Sequence, residues 1–339
     1  MIIRSKAPLR IGLAGGGTDV SPYSDLYGGK VLNATINLYA RVSIEPLNNG
    51  KIILNSVDMG EIQELESAAE LELDGHLEIL KGVYNRIVKD FVHKPLSFRL
   101  TTFVDVPKGS GLGSSSSYTV GLLNALYAYQ NRFVSKSDLA KQACDIEIHR
   151  CGEPIGKQDQ YAAAFGGLNL IRFHPDDSVS VDPVICKPEI LQGLEDNTLV
   201  FFTGRTRSAS AVLAQQSTSI QEKPNRRLVR RMVQLAFEMK SELESGCLEQ
   251  VGEMLNENWR LKAQLTSGIT DPQIDAWYGK ALANGASGGK LLGAGNGGFL
   301  MFFAPPNRHD QITEALSELE KVKFRFDRSG TQVVFYHPA

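Results

Sequence analysis

Cysteine is scarce: the 339-residue chain has four, at 144, 151, 186 and 247, and no C-x-x-C pair. That spacing offers no disulfide framework, and the grouping of Cys144, His149 and Cys151 matches no common zinc site. So few thiols in so long a chain point to a reducing compartment, expected to be the cytoplasm. Neither sign of charge dominates: 36 Lys and Arg face 38 Asp and Glu, a formal charge of −2, which argues against a global draw to nucleic acid or an anionic membrane. No apolar run approaches the roughly 18 residues of a membrane span. Arg4, Lys6 and Arg10 interrupt the place where a signal peptide would carry its apolar core, so the chain is expected to be soluble and unexported.

What is present is ordinary for a globular protein. Hydrophobic residues make up 42% and charged ones 22%, and the length suits two domains large enough to need no staple. Branched and aromatic residues alternate with polar ones at Arg10–Ala14, Ala40–Pro46, Lys51–Leu54 and Leu96–Val106, predicting sheet in the first hundred residues. Seven acids without a Lys or Arg between Val57 and Gly75 read as a solvated edge or loop. Val120, Leu123 and Tyr127 recur at helical spacing within Tyr118–Gln130. A capped helix starts at Ser135, and its apolar face runs through Leu139, Ala143 and Ile146 until Gly152 and Pro154 stop it. A strand follows at Leu168–Phe173.

Beyond about residue 186 the pattern is more helical. Leu228, Met232, Leu235, Ala236, Met239 and Leu243 form a stripe closed by Gly246, and Asp271-Pro272 caps a helix that Gly285 ends. The tail reads as strand (Phe299–Phe303), helix (Asp310–Glu320) and strands at Val322–Phe326 and Gln332–Tyr336. The expected class is α+β, with a boundary between 1–185 and 186–339. Trp259 and Trp277 fall at apolar helical positions and read as core; Arg226, Arg227, Arg230 and Arg231 read as a solvated helix face.

Glycine concentrates in three stretches: Gly12 to Asp19, Pro107 to Ser116, and Gly288 to Gly298. Loops without Cβ atoms bring backbone N–H groups close to an anion. The middle stretch, Pro107, Lys108, Gly109, Ser110, Gly111, Leu112, Gly113, Ser114, Ser115 and Ser116, runs from a strand into a helix. That places unsatisfied amides and the positive end of the helix dipole on one spot, a phosphate cradle. No Gly-Lys pair is followed by Ser or Thr, so this is not a P-loop, and the Asp-Phe-Gly and His-Arg-Asp signatures of protein kinases are absent. Gly293 to Gly298 spells a dinucleotide fingerprint, but a strand follows where that fingerprint needs a helix. Gly285-Ala-Ser-Gly-Gly289 spells a nucleophile elbow after a helix instead of a strand.

The three stretches, in this order and at these distances, resemble the motifs of the GHMP small-molecule kinases, which include galactokinase, homoserine kinase and mevalonate kinase. The resemblance implies a domain like ribosomal protein S5 domain 2, then a ferredoxin-like domain, with ATP and substrate in the cleft between. It assigns the middle motif to the nucleotide phosphates and, with Mg2+, Ser115 and Glu147 to the metal. Asp159 resembles the aspartate that faces the acceptor hydroxyl, and Arg10 the first-motif arginine that keeps it ionised and neutralises transition-state charge. Phosphoryl transfer needs little beyond such positioning and charge stabilisation.

The resemblance also assigns substrate contacts to Gly15, Gly16, Gly17, Thr18 and Asp19 and to Gly293, Ala294 and Gly295. Galactokinase-like members carry glutamate and histidine where this chain has Gly16 and Gly17. The change leaves room and exposed amides for a larger or more anionic sugar. With Pro22-Tyr23 and the Thr203 to Ala209 run, it resembles the branch that phosphorylates a heptose 7-phosphate at its anomeric hydroxyl, the fucose branch coming second. Lys30, Lys157, Arg172, Arg205 and Arg207 are the candidate partners for a distal phosphate. A ligand sensor on the same scaffold would have damaged catalytic residues, and Arg10, Ser115, Glu147 and Asp159 are all present.

Overall fold

The structure is a computed structural model that describes residues 2–337 apart from 207–211, 213–214, 216–217 and 221–222. Strand β1 (Ile2–Ala14) pairs antiparallel with β2 (Gly29–Pro46), an 18-residue strand shared between two partners. Its second half pairs with β5 (Phe98–Val104) and its first half with β6 (Leu168–Phe173). Register shifts at Pro8/Leu9 and Gly12/Ala14 bend the ribbon, as extra residues in a ladder do. β3 (Lys51–Ser56) runs parallel to β5, β4 (Glu61–Glu66) is its edge, β7 (Val179–Pro183) extends β6, and β12 (Gln332–His337) lies outside β1. The acidic segment is thus edge strand β4 with the turn before it and the loop after it.

Helices α2 (Glu78–Ile87), α3 (Ser114–Tyr129), α4 (Lys136–Cys144) and α5 (Gln158–Phe165) cover one face of this sheet and share an apolar core with it. Short α1 (Tyr23–Tyr27) follows the first glycine stretch. The second sheet, order β11-β8-β10-β9, comprises β8 (Thr198–Phe202), β9 (Gly288–Leu291), β10 (Phe299–Phe303) and β11 (Glu320–Val322). It is packed by α6 (Pro188–Asp196), α7 (Lys223–Ser245), α8 (Val251–Ala263), α9 (Pro272–Ala283) and α10 (His309–Ala315). Leu9, Ile11 and Leu13 of β1 meet Ala236 and Met239 of α7 and Met301 of β10 in a core that both sheets contribute to. Burial on both faces explains why β1 is apolar without strict alternation. Trp259 and Trp277 are buried in the core of the second sheet. Among the described residues no helix is long and apolar enough to cross a membrane.

The predicted caps form: Ser135 Oγ accepts the Asp138 amide, and Asp271 Oδ1 those of Gln273 and Ile274. The tail departs from its pattern. The helix predicted to Glu320 ends at Ala315, the strand begins at Glu320 and stops at Val322, and Phe326 makes only an isolated bridge to Ile36. The last strand forms as predicted but pairs with β1, a long-range choice no local pattern encodes. The helix begun at Ser135 changes to π-helical winding at Asp145–Arg150, where the Cys151 amide bonds back to Ile146 O. That change of phase accompanies the burial of adjacent Ile146 and Glu147 together.

Candidate active site

A cleft of about 570 Å³ opens where the three glycine-rich stretches meet. Of the predicted residues, Arg10, Gly16, Gly17, Asp19, Lys108, Gly109, Gly111, Gly113, Ser114, Ser115, Ser116, Asp159, Gly293, Ala294 and Gly295 line it. At its centre the Arg10 guanidinium clasps Asp159 through two hydrogen bonds, Nε to Oδ1 at 2.7 Å and Nη2 to Oδ2 at 2.8 Å, and gives a third to Gly111 O at 2.6 Å. A planar donor fork holds a carboxylate in one orientation, which a lysine could not do.

Helix α3 points its N-terminus into the cleft. Gly113, at φ +75°, precedes it in the left-handed region, and no side chain caps the helix. Its first amides are therefore open to a ligand, at the positive end of a 16-residue helix dipole. A Cβ on Gly113 would lie 3.1 Å from the Asp159 carboxyl carbon, so that carboxylate sits against the helix tip. Behind the tip, Ser115 Oγ donates to Glu147 Oε1 at 2.8 Å, and Gln160 Nε2 donates to Glu147 Oε2 at 2.6 Å. Burial outweighs these bonds and pushes the Glu147 carboxyl up to about 7. A hydroxyl and a carboxylate, both oxygen donors, fit a hard divalent cation.

Asp19, buried, lines the same cleft and is held beside the start of α5. Oδ1 accepts the Gly17 amide and Gln158 Nε2, and Oδ2 the Gln158 amide, each at 3.1 Å. Burial raises its pKa, backbone hydrogen bonds lower it and the neighbouring Asp159 charge raises it further, with a net rise. A Cβ on Gly156 would fall 2.0 Å from Asp19 Oδ2, so glycine alone lets the chain pass there.

Other predicted residues stand off the cleft wall. Thr18 is fully buried, its hydroxyl donating to Lys30 O and accepting the Lys30 amide, so it braces the loop. The Gly15 amide donates to Asn258 Oδ1 at 3.1 Å. Within the middle glycine stretch Ser110 and Leu112 are buried, and Pro107 does not line the cleft. Of the candidate cations, Lys157 pairs with Asp177, Arg172 with Asp182 at 2.7 Å, and Arg205 with Asp271 at 2.8 Å across the Trp277 ring. Lys30 lies over the Phe237 ring with no acidic partner among the described residues. Arg207, with Ser208 and Ala209 of the same run, lies outside the described residues. Lining residues to which the sequence assigned no role include Val20, Ile79, Glu153, Ile155, Gln158 and Lys262. Lys290, inside the third glycine stretch, also lines the cleft, whereas Lys262 sits in a helix with no motif around it.

Comparison with known proteins decides the family. The GHMP kinases N terminal domain model matches residues 78–167 and the GHMP kinases C terminal model residues 239–321. A Campylobacter jejuni protein named D-glycero-alpha-D-manno-heptose 7-phosphate kinase is 39% identical over 332 residues, 97% of this chain and 98% of that one. The chain is a GHMP kinase. A crystal structure described as a D-glycero-D-manno-heptose 1-phosphate kinase from Bacteroides thetaiotaomicron superposes with a TM-score of 0.84 at 37% identity, covering 99% of this chain and all of that one. A Pyrococcus furiosus galactokinase is 26% identical over 95% of this chain and 94% of its own. This GHMP kinase has the two-domain fold that the three motifs implied and is an ATP-dependent phosphotransferase with an alcohol group as acceptor.

Proposed function

We propose that the chain phosphorylates the anomeric hydroxyl of D-glycero-α-D-manno-heptose 7-phosphate with ATP, forming the 1,7-bisphosphate that leads to nucleotide-activated heptose for surface glycans. The observation that carries the reading is the placement of Asp159: clasped by Arg10, it lies against the open tip of α3 in one cleft with Asp19 and the bare Gly16 and Gly17. The α3 amides cradle the triphosphate. Asp159 orients the acceptor hydroxyl and accepts its proton as the oxygen attacks the γ-phosphorus and the ADP oxygen leaves; Arg10 keeps that carboxylate ionised. Asp19 accepts hydrogen bonds from sugar hydroxyls, and the absent side chains at 16 and 17 leave the sugar pocket wide.

Ser115 and Glu147 would hold magnesium, with Gln160 fixing the carboxylate. Bound there, such an ion would supply the positive charge that phosphate oxygens call for. ATP as co-substrate and four free thiols suit a cytoplasmic enzyme. The heptose assignment is further supported by the name of the Campylobacter relative. An ADP-release screen with heptose 7-phosphate, fucose, galactose and mannose tests it. Heptose 7-phosphate should give the highest kcat/KM; preference for fucose or galactose would move the chain to another sugar 1-kinase. Saturable ATP binding with no ADP from any sugar would make it a sensor.

A further inference from the structure

The cleft floor carries more positive charge than the residues named so far account for. One face of α8 carries Asn258 and, one turn on, Lys262, both buried, and of the two Lys262 lines the cleft. Asn258 Oδ1 accepts the Gly15 amide, and Lys262 Nζ donates to the Gly293 carbonyl, so this helix is tied to the first and third glycine stretches together. Lys262 has no carboxylate within bonding distance among the described residues, and it lines the cleft.

Arg10, by contrast, is committed. Its Nε and Nη2 go to Asp159 and its Nη1 to Gly111, and the bidentate pair it forms is neutral overall. A charge already matched by Asp159 adds little for a second anion. Two buried lysines of the cleft lack a carboxylate partner among the described residues: Lys262, and Lys290, which is bonded to Leu13 O at 3.4 Å and which burial and the neighbouring Lys262 and Arg10 charges push far below the usual lysine range, leaving Lys262 as the one that keeps an ammonium more readily. An ammonium buried beside a carbonyl alone is unfavourable. Burial and the Arg10 charge push Lys262 down to about 8. A strut between α8 and the third glycine stretch would need one neutral donor; an ammonium there serves an arriving anion.

We infer that Lys262 is the second cation of the phosphoryl-transfer centre, meeting the charge of the transferring phosphoryl group with the donors that Gly293 leaves free, while Arg10 serves to hold Asp159. This rests on the kinase reading proposed above. The charged groups facing Lys262 are Arg10 of β1, Asp19 after it, Asp159 of α5 and Lys290 of β9. The free-enzyme kcat/KM profile should therefore fall on an alkaline limb near pH 8, as Lys262 loses its proton.

The test compares Lys262→Met and Lys262→Arg with wild type, by kcat, both KM values, thermal unfolding and the pH profile. Lys262→Met should lose about 100-fold in kcat with both KM values within about threefold, as expected when a group acts mainly in the transition state. Lys262→Arg should recover about tenfold of that and lack the limb near pH 8, because a guanidinium stays charged. A Met variant within about fivefold of wild-type kcat, or a loss confined to the acceptor KM, would overturn the inference. Should the Met variant fail to fold, an Arg variant that keeps the wild-type alkaline limb would do the same. Transfer of the γ-phosphoryl group to water, measured without acceptor in the same variants, separates the two failures. Sugar turnover that ignores Lys262 sinks this inference, whereas Lys262-dependent hydrolysis without sugar turnover sinks the acceptor assignment.

Discussion

Replacing Asp159 by alanine removes the group that faces the acceptor and leaves a buried guanidinium without its counterion. Arg10 is 5% exposed and gives that carboxylate two hydrogen bonds of 2.7 and 2.8 Å. Breaking a buried ion pair from one side costs about 3–5 kcal/mol. The Asp159 side chain keeps 22% of its surface in solvent, so water offsets part of the loss, and about 2–3 kcal/mol of unfolding free energy should go. The effect on rate is separate. Losing a positioned general base lowers kcat by about 10²–10⁴-fold, equivalent to about 3–5 kcal/mol of barrier. ATP affinity should stay within about tenfold, because the α3 amides remain in place. Asp159→Asn keeps the shape and one acceptor for Arg10, so it should lose less stability than alanine for a similar loss of rate. Coupled ADP release at saturating substrates, nucleotide calorimetry and urea unfolding measure the three quantities. Turnover of either variant within tenfold of wild type refutes the role given to Asp159.

Ser115→Ala takes one oxygen from the proposed cation site and should raise the magnesium concentration for half-maximal rate by about tenfold, read by magnesium titration at fixed ATP. Gly156→Ala drives a methyl group into Asp19 Oδ2, so the acceptor KM should rise by about tenfold or more while the ATP KM holds; equal rises in both would contradict the sugar-side placement of Asp19. Thr18→Val strips the Lys30 backbone of both its hydroxyl bonds and should cost about 1–3 kcal/mol in urea unfolding with an ATP KM close to wild type. Lys262, held near 8 in the folded protein against 10.5 in the free side chain, binds fewer protons folded than unfolded between those values. Stability therefore gains with pH across that window, and the wild type should improve relative to Lys262→Met by about 3 kcal/mol from pH 8 to 10.5, a trend that denaturant unfolding at stepped pH would show or exclude.

The turn into α3 needed no tertiary information, since Gly113 and the serines after it fix a helix tip from within one segment, and local geometry is what a run of glycine and serine encodes. The cap at Asp271 and the stripe through Met232 and Met239 were legible for the same reason: each depends on neighbours a few residues away. What the chain alone could not reveal lies in contacts across long separations. The return of Gln332–His337 to β1, the π-helical turn that buries Glu147, the bracing role of Thr18 and the presence of Lys262 in the same cleft as Asp159 each depend on which surface another segment offers. A lysine in an unremarkable helix resembles any solvated lysine until packing removes its water. Sequence determined the parts that could touch phosphate, and tertiary structure decided which charges are already matched and which are left for a substrate, because burial and pairing are properties of neighbours distant in the chain.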